Sequence, residues 1–139
     1  MLVLAADVYE AVLEHAREDA PLEACGVLAG ERDPESGVAR AVSVHRAHNA
    51  ADAPRVAYEI DPADLLHLIE SIEEAGREVV GFYHSHPAGP PHLSDRDRRE
   101  ATWEGYHYLL VSLAGSTAIC DAWRWTGEEF VRDDVAVRD

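Results

Sequence analysis

The stretch EVVGFYHSHPAGPPHLSDRD, residues 78–97, carries the strongest structural signal in the chain. Its first nine residues are rich in Val, Phe and Tyr, which predicts a buried strand, and the Pro/Gly-rich residues after them predict a turn. Since residues i and i+2 of a strand point to the same face, His84 and His86 would present two imidazoles to one point. A turn that brings Asp97 back beside them would add a carboxylate. Two histidines and one carboxylate form the ligand set of a catalytic zinc site whose fourth position is open to water.

Each of these residues also has a plainer interpretation. The spacing of His84 and His86 by itself leaves zinc ligation and a structural role equally open. The pattern Ser94-x-x-Asp97 is a capping box at a helix start, and capping would explain both residues without a metal. The two interpretations are compatible, because the N–H groups of a helix N-terminus favour a site where negative charge develops. His92 lies in the intervening turn, and its neighbours give no reason to make it a ligand.

Glu23 is a further candidate because of its position in the sequence. It follows Pro21, which would end a helix, and it precedes the apolar run of residues 24–30, which predicts a buried strand. An acid beside a buried strand is unusual, although an acid at a strand end commonly faces solvent. From these residues alone, Glu23 is either a catalytic carboxylate or a solvated residue, and the second is the commoner case.

Hydrophobic patterning predicts the remaining elements. It favours helices over residues 7–19 and 94–103, and another that begins after the N-cap Asp61, with Pro62 in its first position, and ends at Gly76. Apolar or alternating runs predict strands over residues 2–5, 24–30, 38–45, 55–60, 78–86, 107–113, 117–125 and 129–137. The connections include both crossovers and hairpins, which favours a mixed sheet covered by helices. The chain has no internal repeat or linker, and its length predicts one domain over residues 1–139.

The chain is strongly acidic. It has 27 Asp and Glu against 12 basic residues, for a net charge of −15, and every basic residue is arginine because the chain has no lysine. This charge opposes binding to nucleic acids, which need basic patches, and to anionic membranes. Two explanations are open, adaptation to a salt-rich cytoplasm and an ordinary acidic composition from a GC-rich genome. We favour the first, because high salt would screen the self-repulsion of so charged a chain.

Other features of the sequence predict a cytoplasmic location. No apolar stretch is long enough to span a membrane, and the first residues lack the basic region of a signal peptide. Cys25 and Cys120 lie far apart and form no CxxC pair. Free thiols are the expected state in a reducing cytoplasm, while a disulfide between them stays open.

The motifs together resemble those of the JAMM (MPN+) metallopeptidases. That family carries an upstream glutamate, then His-x-His, seven residues, Ser, two residues and Asp. The pattern His84-x-His86, residues 87–93, Ser94-x-x-Asp97 matches this spacing without a gap. Residues 23–28, EACGVL, resemble the family's upstream Glu-x-Cys-Gly-x-Leu segment. Further likeness at Asn49, at residues 58–62 and in two C-terminal strands extends the resemblance over nearly the whole chain.

The resemblance implies a fold, a metal and a set of roles. The fold would be a three-layer α-β-α arrangement with a curved mixed sheet, as in MPN and cytidine-deaminase-like domains. His84, His86 and Asp97 would bind zinc, and a water would hold the open position. Glu23 would transfer the proton between that water and the leaving amine, and Ser94 would hydrogen-bond the oxyanion.

The resemblance also implies a substrate class. Such enzymes cleave the isopeptide bond between the C-terminal glycine of a ubiquitin-like protein and a lysine, and in archaea the modifiers are small archaeal modifier proteins. An enzyme of this kind is a desampylase. For a desampylase, cleavage of linear peptide bonds after the same glycine also stays open. Two alternatives remain: a zinc peptidase that processes a ubiquitin-like sulfur-carrier protein in cysteine or sulfur metabolism, and a non-catalytic MPN scaffold. The complete set of predicted ligands argues against the scaffold.

The acidic composition leads to a prediction about salt. Because salt near 1 M shortens the screening length to ~3 Å, we expect the melting temperature to rise between low salt and multimolar KCl. Circular dichroism during heating measures it. A melting temperature that stays constant or falls over this range would contradict adaptation to salt.

Overall fold

The computed structural model describes residues 1–139 and contains eight strands and three helices. In chain order the elements are β1 (Leu2–Ala5), α1 (Ala6–Asp19), β2 (Cys25–Asp33), β3 (Val38–Ala47), α2 (Pro62–Glu74), β4 (Glu78–His86), α3 (Asp95–Arg99), β5 (His107–Ser112), β6 (Ile119–Trp125), β7 (Phe130–Asp133) and β8 (Val135–Arg138). All eight strands form one mixed sheet in the order β7-β6-β5-β4-β2-β3-β1-β8. None of the helices combines the length and the apolar character needed to cross a membrane.

Strand β4 lies at the centre of the sheet. It pairs antiparallel with β2 and parallel with β5, and all its residues after Glu78 are buried. A strand covered on both faces needs a nearly continuous apolar run, which the sequence VVGFY provides. The register sets His84 opposite Cys25 of β2. The histidine-bearing end of β4 therefore lies beside the chain that leads into β2.

Helices cover both faces of the sheet. Neighbouring residues Val27 and Leu28 of β2 belong to two different apolar cores, because adjacent strand residues point to opposite faces. In the Leu28 core, α1 buries the apolar stripe predicted from its periodicity, namely Val8, Val12, Leu13 and Ala16. In the Val27 core, α2 buries Ile72 against the strands. The predicted three-layer arrangement with a mixed sheet is confirmed.

The start of α2 also agrees with its prediction. Asp61 Oδ2 accepts hydrogen bonds from the backbone N–H groups of Ala63 and Asp64, and Pro62 occupies the first turn. The aspartate thereby satisfies two of the N–H groups that a helix start leaves without partners.

The strand predicted over residues 55–60 is wrong. This segment forms a turn and then irregular chain outside the sheet. Its backbone bonds to a side chain instead of a strand, since Asn49 Nδ2 donates to the Ala57 carbonyl and Asn49 Oδ1 accepts from the Glu59 N–H. The alternation of apolar and polar residues in this segment predicts a strand, but it does not show whether a strand of the sheet is free to pair with it.

The third helix is shorter than predicted. It ends at Arg99 rather than near Trp103. The Trp103 indole packs edge-on against Phe82, with ring centroids 5.0 Å apart, and its backbone N–H donates to the Tyr108 hydroxyl. Contacts with the sheet therefore replace the last helical turn.

The single strand predicted over residues 129–137 is two strands. Strand β7 pairs with β6 at one edge of the sheet, and β8 pairs with β1 at the other edge. Only Asp134 separates them. Since one residue spans at most about 3.6 Å, the two edges must approach each other, and the sheet is strongly curved.

Asp133, the last residue of β7, links the Met1 ammonium and His107 of β5 where the edges meet. Its Oδ2 lies 2.7 Å from the Met1 ammonium and 2.8 Å from His107 Nε2. Although burial acts to raise the pKa of Asp133, the hydrogen bonds from these two groups outweigh it and lower the pKa to about 2. The carboxylate is thus more stable as an anion in the folded chain than in the unfolded chain.

We expect Asp133→Asn to lower the melting temperature at neutral pH, because the charge that holds both partners is lost. A carboxylate with a depressed pKa stabilises the fold above its ordinary pKa of 3.8 and loses this effect as the pH falls toward 2. The difference between the two proteins should therefore shrink between pH 4 and pH 2. Thermal unfolding followed by circular dichroism across this range measures it.

Asp134→Asn is the matched control, since Asp134 is exposed and its side chain makes no hydrogen bond. Equal melting temperatures for Asp133→Asn and Asp134→Asn at pH 7 would contradict the role given to Asp133.

Candidate metal centre

Three segments bring four polar side chains together where β4 ends. Strand β4 ends with His84 and His86 on one face, and the first turn of α3 carries Asp97. Glu23 lies two residues before β2, next to the point where Cys25 pairs with His84. Only 4% of Glu23, 1% of His84 and 5% of His86 is exposed. Buried ionisable groups of this kind need partners, either one another or a metal.

Both histidines point at the same oxygen. His84 Nε2 lies 3.1 Å and His86 Nε2 lies 3.2 Å from Asp97 Oδ2. In a tetrahedral zinc site, bond lengths of about 2.0–2.2 Å put neighbouring ligand atoms roughly 3.3 Å apart. The two observed distances are close to that separation.

Glu23 is close to this group but further from its members. Its Oε2 lies 4.0 Å from His86 Nε2. One ligand atom each from Glu23, His84 and His86 lies within 4.8 Å of the others. Glu23 could therefore bind a metal directly or reach a group held next to one, and the longer distance favours the second arrangement.

The hydrogen bonds of His86 determine which ring nitrogen carries a lone pair. Its Nδ1 lies 2.9 Å from the Pro90 carbonyl oxygen, a contact that needs a hydrogen on Nδ1. In the neutral ring, Nε2 then presents a lone pair to the Asp97 oxygen at 3.2 Å. Two facing lone pairs repel each other unless a cation lies between them, either a proton on Nε2, which turns the contact into a hydrogen bond to Asp97, or a metal ion. The Pro90 carbonyl holds the His86 ring in this tautomer, and the Asp97 carboxylate lies beside its free nitrogen. This arrangement fits a divalent metal such as zinc.

The two carboxyl groups of the site have pKa shifts of opposite sign. Burial raises the pKa of Glu23 to about 7, and the charge of Asp97 adds to the rise while His86 opposes it. Burial would raise the pKa of Asp97 as well, but hydrogen bonds with His84 and His86 outweigh it and hold that pKa well below its ordinary value. Asp97 is therefore the permanent anion of the pair. Opposite shifts of this kind separate a ligand from a proton-transfer group.

Ser94 forms the capping box that its spacing predicts. Its Oγ accepts from the Asp97 N–H at 3.0 Å, and its own N–H donates to Asp97 Oδ2 at 2.8 Å. A hydroxyl has one hydrogen to donate as well as two lone pairs. Capping therefore leaves the Ser94 hydrogen free, and the same residue both orients Asp97 and offers a donor to the site.

Sequence reasoning missed the function of Ser85. Its side chain lies on the opposite side of β4 from the two histidines, and its Oγ accepts from the Ala24 N–H at 2.8 Å. The Ser85 N–H donates in turn to the Ala24 carbonyl at 3.0 Å. These two bonds fasten the residue after Glu23 to β4. A buried serine between two histidines was the only available signal.

Asn49 holds the loop beside the site. Its Nδ2 donates to the carbonyls of Glu23 and Ala57, and more weakly to that of Pro54. Its Oδ1 accepts from two further backbone N–H groups. One half-buried side chain thus joins the Glu23 backbone to residues 50–59. The sequence indicated Asn49 only through its family resemblance.

Tyr58 contacts a candidate ligand from this loop. Its ring stacks on His84 with centroids 4.3 Å apart and an angle of 20° between the planes. Tyr58 also lines a cavity of about 450 Å³ on the Asp97 side of the site, whose wall is mainly apolar but includes the acids Glu59, Asp97 and Glu100. Its wall includes Tyr58, Ile60, Leu65, Phe82, Asp97 and Trp103. His92, in contrast, is exposed and lies outside the group, as its neighbours predict.

We expect Asn49→Ala to lower the free energy of unfolding by about 2–3 kcal/mol, because it leaves buried carbonyls and N–H groups without partners. Urea denaturation measures the change, and hydrogen exchange should be faster at residues 50–59. His48→Ala is the control, since His48 is exposed and makes no hydrogen bond; it should change stability by less than about 0.5 kcal/mol. A similar loss in both variants would show that Asn49 does not organise the loop.

Comparison with known proteins agrees with the geometry. The family model described as prokaryotic homologs of the JAB domain matches residues 5–126. The desampylase of Haloferax volcanii is 48% identical over 98% of this chain and 96% of its own length. The CysO-cysteine peptidase of Mycobacterium tuberculosis is 40% identical over 81% of this chain and 73% of its own length. A solution structure of a Desulfitobacterium hafniense protein, 28% identical, superposes with a TM-score of 0.90 over 100% of this chain and 94% of that one. The chain belongs to the prokaryotic JAB-domain family and, like these two named relatives, is a hydrolase.

Proposed function

We propose that the chain is a zinc-dependent isopeptidase. It hydrolyses the bond between the C-terminal glycine of a ubiquitin-like small archaeal modifier protein and the lysine of a conjugated protein. The observation that carries the proposal is the convergence of His84 Nε2 and His86 Nε2 on Asp97 Oδ2, at 3.1 and 3.2 Å, with Glu23 buried beside them. The likeness to a desampylase over nearly the whole chain supports the substrate class.

His84, His86 and Asp97 would hold the zinc ion. When bound, zinc would polarise the scissile carbonyl and lower the pKa of a water molecule at its open position. His86 is held for this purpose by its hydrogen bond to the Pro90 carbonyl, and Asp97 by the Ser94 N–H. Such supporting bonds orient ligands and strengthen metal binding.

Glu23 transfers a proton from the attacking water to the leaving nitrogen. Its Oε1 is buried and has no hydrogen-bond partner in the protein, so this oxygen can accept a proton from the attacking water. The same carboxyl group then delivers a proton to the nitrogen of the leaving lysine. Its backbone is fixed by Asn49 and by a 2.7 Å hydrogen bond to the Pro54 carbonyl, which keeps the carboxylate in position through both steps.

Ser94 stabilises the negative charge that develops on the carbonyl oxygen. Its hydroxyl hydrogen is free because its Oγ serves the capping box only as an acceptor. Ser94 lines the same cavity as Glu23 and His86, so its hydroxyl can reach a carbonyl placed between them. A donor aimed at a developing oxyanion is worth about 10²–10³-fold in rate.

A second candidate substrate is a ubiquitin-like sulfur-carrier protein bearing an added C-terminal residue. The 40% identical relative is named for a CysO–cysteine substrate, which favours this alternative over others. Both reactions use the same residues. Incubation with a lysine-linked modifier conjugate and with a carrier that bears a C-terminal cysteine separates the two.

We also propose that the protein works in a cytoplasm rich in salt. The net charge of −15 and the absence of lysine support adaptation to high salt. The two free thiols, Cys25 and Cys120, are consistent with a reducing compartment such as the cytoplasm. The same charge opposes nucleic-acid and membrane partners.

Two variants separate proton transfer from metal binding. Glu23→Gln should keep stoichiometric zinc and lower kcat by about 10²–10⁴-fold, because only the proton acceptor is lost. Asp97→Asn should lose both zinc and activity, since an anionic ligand becomes neutral. Metal analysis of the purified proteins, together with cleavage of a lysine-linked conjugate with and without EDTA, measures both effects.

Glu35→Gln, in an exposed turn distant from these residues, is the matched control and should behave like the wild type. A fully active Glu23→Gln enzyme would remove Glu23 from proton transfer. Stoichiometric zinc in Asp97→Asn would show that the ligands are misassigned. A wild-type protein that binds little zinc and cleaves nothing would favour a scaffold instead.

A further inference from the structure

A cavity of about 500 Å³ opens at the end of the sheet opposite the candidate metal centre. His107 lies on its wall and pairs with Gly81 near the start of β4, whereas His86 is the last residue of that strand. The stretch of strand from Gly81 to His86 is roughly 17 Å long at ~3.3 Å per residue. The cavity is therefore separate from the four polar groups of the metal centre.

The wall of this cavity is mainly polar and is built from the ends of several strands. It includes Arg32 of β2, Gly105 and His107 at the start of β5, Arg124 of β6 and Asp133 of β7. The volume is within the range of small-molecule sites. Because polar groups that leave water need new hydrogen bonds, such a wall favours a small polar ligand.

Two arginines of this wall have no carboxylate partner. Arg32 donates one hydrogen bond, to the Gly105 carbonyl at 2.9 Å, and Arg124 makes no hydrogen bond or ion pair. Both side chains are half-buried, in a chain where acidic residues outnumber basic ones by 27 to 12. Three other arginines do pair with acids, namely Arg46, Arg96 and Arg132. The two guanidinium groups of the cavity are thus free to bind an anion.

The sheet register places Arg124 beside His107. The two residues lie directly opposite each other on β6 and β5, and opposed residues of neighbouring strands share a face. Burial is the largest cause that lowers the pKa of His107, and the charges of the Met1 ammonium and Arg124 lower it further, against the hydrogen bond and charge of Asp133. The charge of Arg124 therefore acts within the cavity.

Arg32 approaches the same place from β2. Its Nη2 bonds to Gly105, two residues before His107, and its guanidinium carbon lies 3.8 Å from the centroid of the Tyr106 ring. A guanidinium held by a carbonyl and stacked on a ring loses little further freedom when it binds a ligand. Arg32 is therefore already ordered for binding.

His107 has a ring nitrogen without a partner. Its Nε2 contacts Asp133 Oδ2 at 2.8 Å, but its Nδ1 is buried and makes no hydrogen bond. Only 2% of the residue is exposed. Buried polar groups in folded proteins are nearly always bonded, so an unpaired one on a cavity wall points to a ligand.

The acids of the wall are mostly engaged by other groups. Asp133 is held by the His107 imidazole and the Met1 ammonium. Asp33 accepts hydrogen bonds from the Ser36 hydroxyl and the Glu35 N–H inside its own turn. Two free guanidinium groups therefore face one unpaired acid, Glu35, which is exposed.

We propose that this cavity binds the phosphate group of a small molecule, with Arg32 and Arg124 as its charge partners. Guanidinium groups bind phosphate oxygens through charge-assisted and frequently bidentate hydrogen bonds. A tetrahedral phosphate accepts from two arginines on different strands at once, whereas one planar carboxylate is satisfied by a single guanidinium. The volume leaves room for the remainder of the molecule. This site is independent of the proposed hydrolysis.

NMR spectra of the ¹⁵N-labelled protein test it, with inorganic phosphate as the probe. Titration in about 1 M KCl screens the repulsion by the net charge of −15 to distances of ~3 Å. We expect the amide signals of residues 32–37, 105–107 and 124 to shift and to saturate, while those of residues 84–97 stay in place. Arg124→Gln and Arg32→Gln should each weaken binding at least about tenfold, the effect of one charge-assisted hydrogen bond.

Arg17→Gln, which removes an exposed arginine without a partner on α1, is the matched control and should bind phosphate like the wild type. Well-dispersed signals before phosphate is added verify that each variant is folded. Shifts confined to residues 84–97 would place the phosphate at the metal centre and overturn the proposal. The same holds for equal affinities of the wild type and folded Arg124→Gln, or for malonate that binds as tightly as phosphate.

Discussion

The pairing of β2 with β4 places Glu23 beside the two histidines of the site. It sets Cys25 opposite His84, and so brings the chain that carries Glu23 to the end of β4. Glycine at position 26 permits this, because a Cβ there would lie 2.5 Å from the Tyr83 hydroxyl and 2.6 Å from the His45 carbonyl. A larger residue would push the three central strands apart. The distance between Glu23 and His86 would then change with them.

Next to these paired strands, the buried site holds two carboxyl groups, Asp97 and Glu23, which would repel each other if both were charged. Asp97 keeps its charge because two imidazoles and the Ser94 N–H surround one oxygen. Glu23, with no donor on Oε1, is shifted the other way by burial. Two acids in a small space thus take different protonation states, one suited to hold a cation and one to exchange a proton. Hydrogen bonds from the two imidazoles to Asp97, which Glu23 does not receive, make the difference.

Predictions that depend only on residues close together in the sequence agree with the structure. The strand over residues 78–86, the Asp61 cap and the Ser94 capping box depend on neighbours a few residues away. Strand predictions that depend on a pairing partner distant in the sequence do not agree with it. Residues 55–60 alternate like a strand, but Asn49 takes up their backbone groups. Residues 129–137 form two strands, because the curved sheet brings both of its edges to one stretch of chain.

The sequence alone determined the chemical types available at the site and their order: two histidines on one strand face, a serine–aspartate cap and an upstream glutamate. These follow from the period of a strand and from the spacing of a helix start, which are fixed by local geometry. Only the tertiary structure decided which nitrogen of His86 is free, how deeply Glu23 is buried, and that Ser94 borders the same cavity as Glu23. Each of these depends on contacts between residues distant in sequence. Such contacts form only when β2, β4 and the Asn49 loop have packed together.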